Sequence, residues 1–184
     1  MSADTPAPGL LDPRRSALLV VDVQAKLVPA IPDSDAVIDR AGRLVDAAHR
    51  LHVPVAASEQ YPRGLGHTVP TLGERLNDAA RFEKSTFDAL RASELARWLR
   101  ESGRDQIVLV GTEAHVCVLQ SAFGGLGAGY AVFVVADAVG SRAAENRELA
   151  LARLRAGGAQ VVSMEMVIFE WLERAGTDSF RDVV

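Results

Sequence analysis

Short apolar runs alternating with helix-length patterns dominate this chain, and that alternation leaves few folds open to it. "ALLVVDV" (17–23), "VPVAAS" (53–58), "QIVLVG" (106–111) and "AVFVVAD" (131–137) lack the apolar-polar alternation of a half-exposed strand. Continuous apolarity is what a strand needs when helices cover both faces of a parallel sheet. Helical patterns at 35–51, 89–102, 116–128 and 142–156 separate these runs, and "ARFEKS" and "AQVVSM" (159–164) read as two further short strands. The order predicts a doubly wound α/β sheet.

A last helix is read in "EMVIFEWLERAG", ending at Gly176 and followed by a polar tail. Residues 59–80 form the longest irregular stretch. Pro62, Gly64, Gly66 and Pro70 oppose a helix there and make it a candidate active-site loop. No internal linker marks a second domain, so residues 1–13 read as a flexible tail and 14–184 as one domain.

With 184 residues, 48% of them hydrophobic, the chain can build its own core. Twenty basic and twenty-four acidic side chains, interspersed, give a formal charge of -4, which argues against a nucleic-acid partner. Charge interrupts every apolar run well before the roughly eighteen residues of a membrane helix, so no membrane partner is expected. "MSADTPAPGLLDPRRS" has no apolar signal region, and Cys117, the single cysteine, has no internal disulfide partner. A cytoplasmic protein is the expectation. Neither GxGxxG nor GxxxxGK follows the first strand, so no nucleotide cofactor is expected.

In an open α/β sheet the ligand crevice lies beyond the carboxyl ends of the strands. Asp22 closes "ALLVVD", Lys84 ends "ARFEK", and Cys117 begins the helix after "IVLVG". A thiol needs help to act as a nucleophile at neutral pH, and a carboxylate that takes its proton, a lysine and an amide-rich helix start would supply it. The turn "GTEAH" would bring backbone N–H groups toward an oxyanion. Each residue also has a plain reading: Asp22 as a strand end meeting solvent, Lys84 as surface, Cys117 as a small buried hydrophobe.

The segments "ALLVVDVQ", "FEKSTFDA" and "LVGTEAHVCVLQSA", in this order, resemble the isochorismatase-like cysteine hydrolase superfamily. "SEQYPRGLGHTVPTL" and "VFVVADAVGSRAAENRELALARLRAGGA" resemble its isochorismatase domain-containing subgroup. The resemblance spans residues 14 to about 175. It implies a six-stranded, mainly parallel sheet, a hydrolase acting on a non-peptide C–N bond of a small-molecule substrate, and a catalytic triad of Asp22, Lys84 and Cys117. It also implies a cis peptide at Thr112–Glu113 and an oxyanion hole made by the N–H groups of Glu113 and Cys117.

Nicotinamidases of this superfamily carry an Asp-x-His pair and a later histidine that bind a metal. Here "SEQYP" puts Glu59 and Tyr61 at the pair's positions, and with His67 they make a poor zinc set, so no metal is expected. The substrate-pocket candidates are Gln24, Gln60, Tyr61, Phe87 and Leu119; for Phe87 and Leu119 ordinary packing is the competing role. His115, two positions before Cys117, reads as a packing or hydrogen-bonding residue rather than a base. A homo-oligomer is expected. A non-catalytic binding or assembly protein and a thiol redox protein remain alternatives.

Overall fold

The computed structural model of the chain describes residues 9–77 and 79–183. Its elements run β1 Ser16–Val21, α1 Ser34–Arg50, β2 Val55–Gln60, α2 Pro62–Leu65, α3 Pro70–Leu76 and β3 Ala80–Lys84. They continue with α4 Ser93–Glu101, β4 Gln106–Thr112, α5 Leu119–Gly127, β5 Ala131–Gly140, α6 Ala144–Ala156, β6 Gln160–Val162, α7 Met164–Leu172 and α8 Asp178–Val183. All six strands pair in parallel, in the order β3-β2-β1-β4-β5-β6. The direction of winding reverses between β1 and β4, which opens the ligand crevice of such sheets at their carboxyl ends.

Every residue of β1 is buried, because its two faces feed two cores. Leu18 and Val20 join Leu44 and Val45 of α1, Leu72 of α3 and Trp171 of α7. Ala17, Leu19 and Val21 join Leu95 and Leu99 of α4, Ala122 of α5 and Leu154 of α6. A strand covered on both sides carries apolar residues at every position, and this is why the apolar runs of the sequence lack alternation.

Several boundaries differ from expectation. The stretch 59–80 is not irregular throughout: it holds the end of β2 and two short helices, α2 and α3, with Pro62 and Pro70 in their first turns. There the missing N–H of proline removes no helical hydrogen bond, so the prolines start helices instead of breaking them. The expected polar tail after Gly176 contains α8. Residues 1–8 of the expected N-terminal tail lie outside the described residues, whereas Leu11 and Asp12 are buried, so the packed body begins ahead of residue 14. The Asp12 N–H donates to Gln106 Oε1 at 2.9 Å.

Strand β5 extends past Asp137, with a register irregularity against β4 between Leu109 and Gly111. Carbonyls at this irregularity find side-chain donors: Ala136 O and Val139 O accept from Arg147, and Asp137 O accepts from Arg40. Gly111 lies at the same place with φ 115°, and a Cβ there would fall 2.1 Å from Val21 O. Gly111→Ala is therefore expected to cost at least about 3 kcal/mol, from the forbidden backbone region and the forced separation of β4 from β1 together. The urea midpoint of the purified variant checks this.

Candidate active site

Three strand ends deliver the reactive groups. Asp22 follows β1 directly and leaves it in the left-handed region, φ 48°, which aspartate tolerates better than most side chains. Lys84 is the last residue of β3, brought beside β2 by the pairing of Gln60 with Lys84. Cys117 lies in a π-helical segment, Ala114–Val118, that leads into α5. β4 lies next to β1 in the sheet, so the segment leaving it starts beside Asp22.

These groups meet in a buried network. Lys84 Nζ lies 2.7 Å from Asp22 Oδ2, with both side chains wholly inaccessible. Ser58 Oγ donates to Asp22 Oδ1 at 2.7 Å, and the Cys117 thiol lies close enough to Asp22 and Lys84 for the charges of both to act on it. Thr112 Oγ1 donates to the Asp22 carbonyl at 2.6 Å, tying the turn after β4 to the same residue. The Thr112–Glu113 peptide is cis.

Burial raises the Asp22 pKa, and Lys84, Cys117 and Ser58 offset this only in part. Burial, then the charge of Asp22, pushes the Cys117 thiol up to about 12, with Lys84 pulling the other way. The helix start and Lys84 do not overcome burial beside a carboxylate. The arrangement instead suits a thiol that loses its proton to Asp22 as it attacks.

Glu113 is oriented away from this chemistry. Burial opposes its charge, but Arg142 outweighs burial by pairing with both carboxylate oxygens, 2.9 and 3.1 Å from Nε, and holds the group below the usual carboxylate range. His115 Nδ1 sits 3.0 Å from Ser141 Oγ, so the histidine is a hydrogen-bonding residue of the turn. The backbone N–H groups at the start of a helical segment lack intrahelical acceptors, which is the property an oxyanion site uses.

The pocket candidates divide. Tyr61 and Phe87 are exposed, at 59% and 52%, and Leu119 is buried in the core that holds Cys117. Gln24 is corrected from pocket to scaffold. It is wholly buried, its Oε1 accepts from Gln60 N at 2.7 Å, and its Nε2 donates to the carbonyls of Gln60 and Gly66 at 3.0 and 2.5 Å. The side chain of Gln60 faces Lys84 and Ser85. Sequence reasoning misses Ser58 and Arg142, and marks Thr112 for its peptide bond but not for its hydroxyl. Only the spacing of Ser58 two residues before Gln60, on one face of a strand, could have marked the first of them.

Glu59 projects to the other face of β2. Its Oε1 accepts from Thr68 N and Thr68 Oγ1 at 2.7 and 2.8 Å, and its Oε2 lies 2.8 Å from His67 Nδ1. Both oxygens thus hold the loop after α2, and this donor set does not fit a transition metal. Among the described residues no group of three or more His, Cys, Asp or Glu is placed to hold one. His49 and His52 line a cleft of about 620 Å³ near Val53 and Ala79, at the amino ends of β2 and β3 and so away from Asp22. A cleft of about 340 Å³ opens beside Lys84, Ser85 and Thr86.

No helix among the described residues is long and apolar enough to cross a membrane. Residues 16–166 match the isochorismatase domain. The secreted isochorismatase effector Isc1 of Phytophthora sojae is 38% identical over all of this chain and 89% of its own. Among solved structures, the MAR1 ribonuclease of Caenorhabditis elegans superposes with a TM-score of 0.90 at 37% identity, covering 95% of this chain and 90% of its own. YcaC of Escherichia coli, described as an octameric hydrolase of unknown specificity, reaches 0.88 at 25% identity, covering 97% and 91%. YcaC of Pseudomonas aeruginosa, solved with hexane-2,5-diol and covalent acrylamide, also reaches 0.88, at 26% identity, covering 97% and 92%. With the domain matched along most of its length and its strand ends carrying Asp22, Lys84 and Cys117, the chain belongs to the isochorismatase family, within the isochorismatase-like cysteine hydrolase superfamily.

Proposed function

We propose that this protein hydrolyses a small, uncharged amide or carbamoyl-like substrate through a thioester on Cys117. The observation that carries the reading is the convergence of a carboxylate, an ammonium and a thiol from three strand ends into one buried network. A cysteine placed for packing alone needs neither neighbour.

In the first half-reaction the Cys117 sulfur attacks the carbonyl carbon as its proton passes to Asp22. The N–H groups of Glu113 and Cys117 stabilise the oxyanion, the C–N bond breaks, and Asp22 returns the proton to the leaving nitrogen. Water then attacks the thioester, Asp22 takes a proton from it, and the acid leaves as the thiol is re-formed. Lys84 balances the negative charge of Asp22 throughout. The covalent acrylamide of the Pseudomonas aeruginosa relative supports the presence, in that protein, of a group that adds to a small electrophile.

The test is a panel of small amides and ureides, with intact-mass detection of an acyl adduct on Cys117. Turnover without an adduct, and unaffected by blocking Cys117, overturns the reading. RNA belongs in the same panel because of the name of the Caenorhabditis elegans relative. RNA cleavage insensitive to loss of Cys117 would replace the amide reading. Activity is expected to survive exhaustive chelation, since Glu59 is already committed to Thr68 and His67; loss on chelation with recovery on one equivalent of metal argues the opposite. A homo-oligomer, on the precedent of the octameric Escherichia coli relative, and a cytoplasmic location, on the free thiol, complete the proposal. Light scattering on the purified protein tests the first and fractionation of its native cells the second.

A further inference from the structure

We propose that Gln60 is a positioning residue: its side-chain amide fixes the Lys84 ammonium against Asp22, and so sets how readily Cys117 gives up its proton. The inference rests on the cysteine-hydrolase reading and moves Gln60 from the substrate pocket to the support of the triad.

Donor counting carries it. A lysine ammonium has three N–H donors. Lys84 Nζ directs its donors at three oxygen acceptors, Asp22 Oδ2 at 2.7 Å, Gln60 Oε1 at 2.7 Å and Thr86 O at 3.3 Å, and the Cys117 thiol lies beside the same ammonium. Its side chain is wholly inaccessible, so it offers no donor to a substrate without first releasing one of these. Its contribution is charge held in a fixed place. The amide of Gln60 cannot be reversed, because its Nε2 donates to Ser85 O at 2.9 Å and a flip would set one donor against another. Gln24 fixes the backbone of Gln60 from both sides.

The charged and titratable groups around the ammonium are Asp22 after β1, Cys117 after β4, and Asp88, which senses the Lys84 charge from the segment after β3. A glutamine supplies an acceptor there without adding another negative charge to the surroundings of the thiol. Glutamate at position 60 would keep the acceptor and add that charge.

Iodoacetamide is the probe. Its reaction forms the S–C bond at Cys117 and breaks the C–I bond, with iodide leaving and the thiol proton passing to Asp22 and then to solvent. The rate of Cys117 modification, followed by intact mass from about pH 6 to about pH 10, compares parent, Gln60→Leu and Gln60→Glu. Both variants are expected to react about ten-fold more slowly across the whole range, since a thiol held near 12 titrates above it and a one-unit rise lowers the thiolate share equally at each pH. Gln60→Glu keeps size and acceptor, so the test survives if Gln60→Leu does not fold. An unchanged rate in a folded variant overturns the role. Failure of the hydrolase reading is separately visible: parent Cys117 then reacts while no amide is turned over. A parent thiol inert across the whole range overturns both.

Discussion

Cys117→Ala is expected to drop amide turnover by a factor on the order of 10⁶, to the detection limit, while the circular-dichroism spectrum stays that of the parent. The size of the effect follows from the absence of another nucleophile in the network. Asp22 and Lys84 are tied to each other, and Ser58 donates to Asp22 and stands behind it. Folding should survive, because the change removes one sulfur atom from a site within the core of Leu119 and Ala122 and leaves no buried charge unpaired. With burial and the Asp22 charge pushing the thiol up to about 12, the thiol form dominates at neutral pH. Attack from a resting thiolate would waste nearly all of the enzyme, so proton transfer to Asp22 must accompany it. Parent-like kinetics in a folded Cys117→Ala protein would sink the nucleophile assignment.

How much of this is legible in the sequence depends on what each residue type signals. The end of β1 is readable because an apolar run covered on both faces stops abruptly at its first charge, Asp22, whereas β3 carries exposed Arg81 and Glu83 before the buried Lys84 and gives no such signal. Asp137 misleads by the same logic: it interrupts the apolar run, yet β5 continues to Gly140 because Arg40 and Arg147 satisfy carbonyls at the irregularity. Pro62 and Pro70 read as breakers, since the effect of a proline reverses in the first turn of a helix and nothing local says which turn it occupies. Gln24 and Gln60 point to a pocket on polarity alone. Whether a glutamine faces a ligand or a buried main chain depends on long-range pairing, here the approach of the loop through Gly66 and the register of β2 with β3.

Asp22→Asn is the companion experiment, and two terms compete in it. An asparagine keeps the size and one acceptor oxygen but cannot take a proton, so turnover is expected to fall by about 10³ or more at every pH. In the parent, the raised pKa of Asp22 places the acid limb of turnover above the usual aspartate value of 3.8, because the carboxylate form is needed to accept the thiol proton. Stability follows the same shift with its own sign. A group whose folded pKa is raised binds its proton more tightly in the folded state, so its contribution to stability is fully present below the unfolded value. That contribution is lost as pH climbs through the folded one. The asparagine of the variant does not titrate, so any stability advantage of the parent over the variant should narrow as pH rises through that window in parallel urea titrations. A gap that widens instead means that Lys84 outweighs burial and that Asp22 is held charged at all working pH values. Turnover within ten-fold of the parent in the folded variant would remove Asp22 from the mechanism, leaving the thiol near 12 without a base in reach.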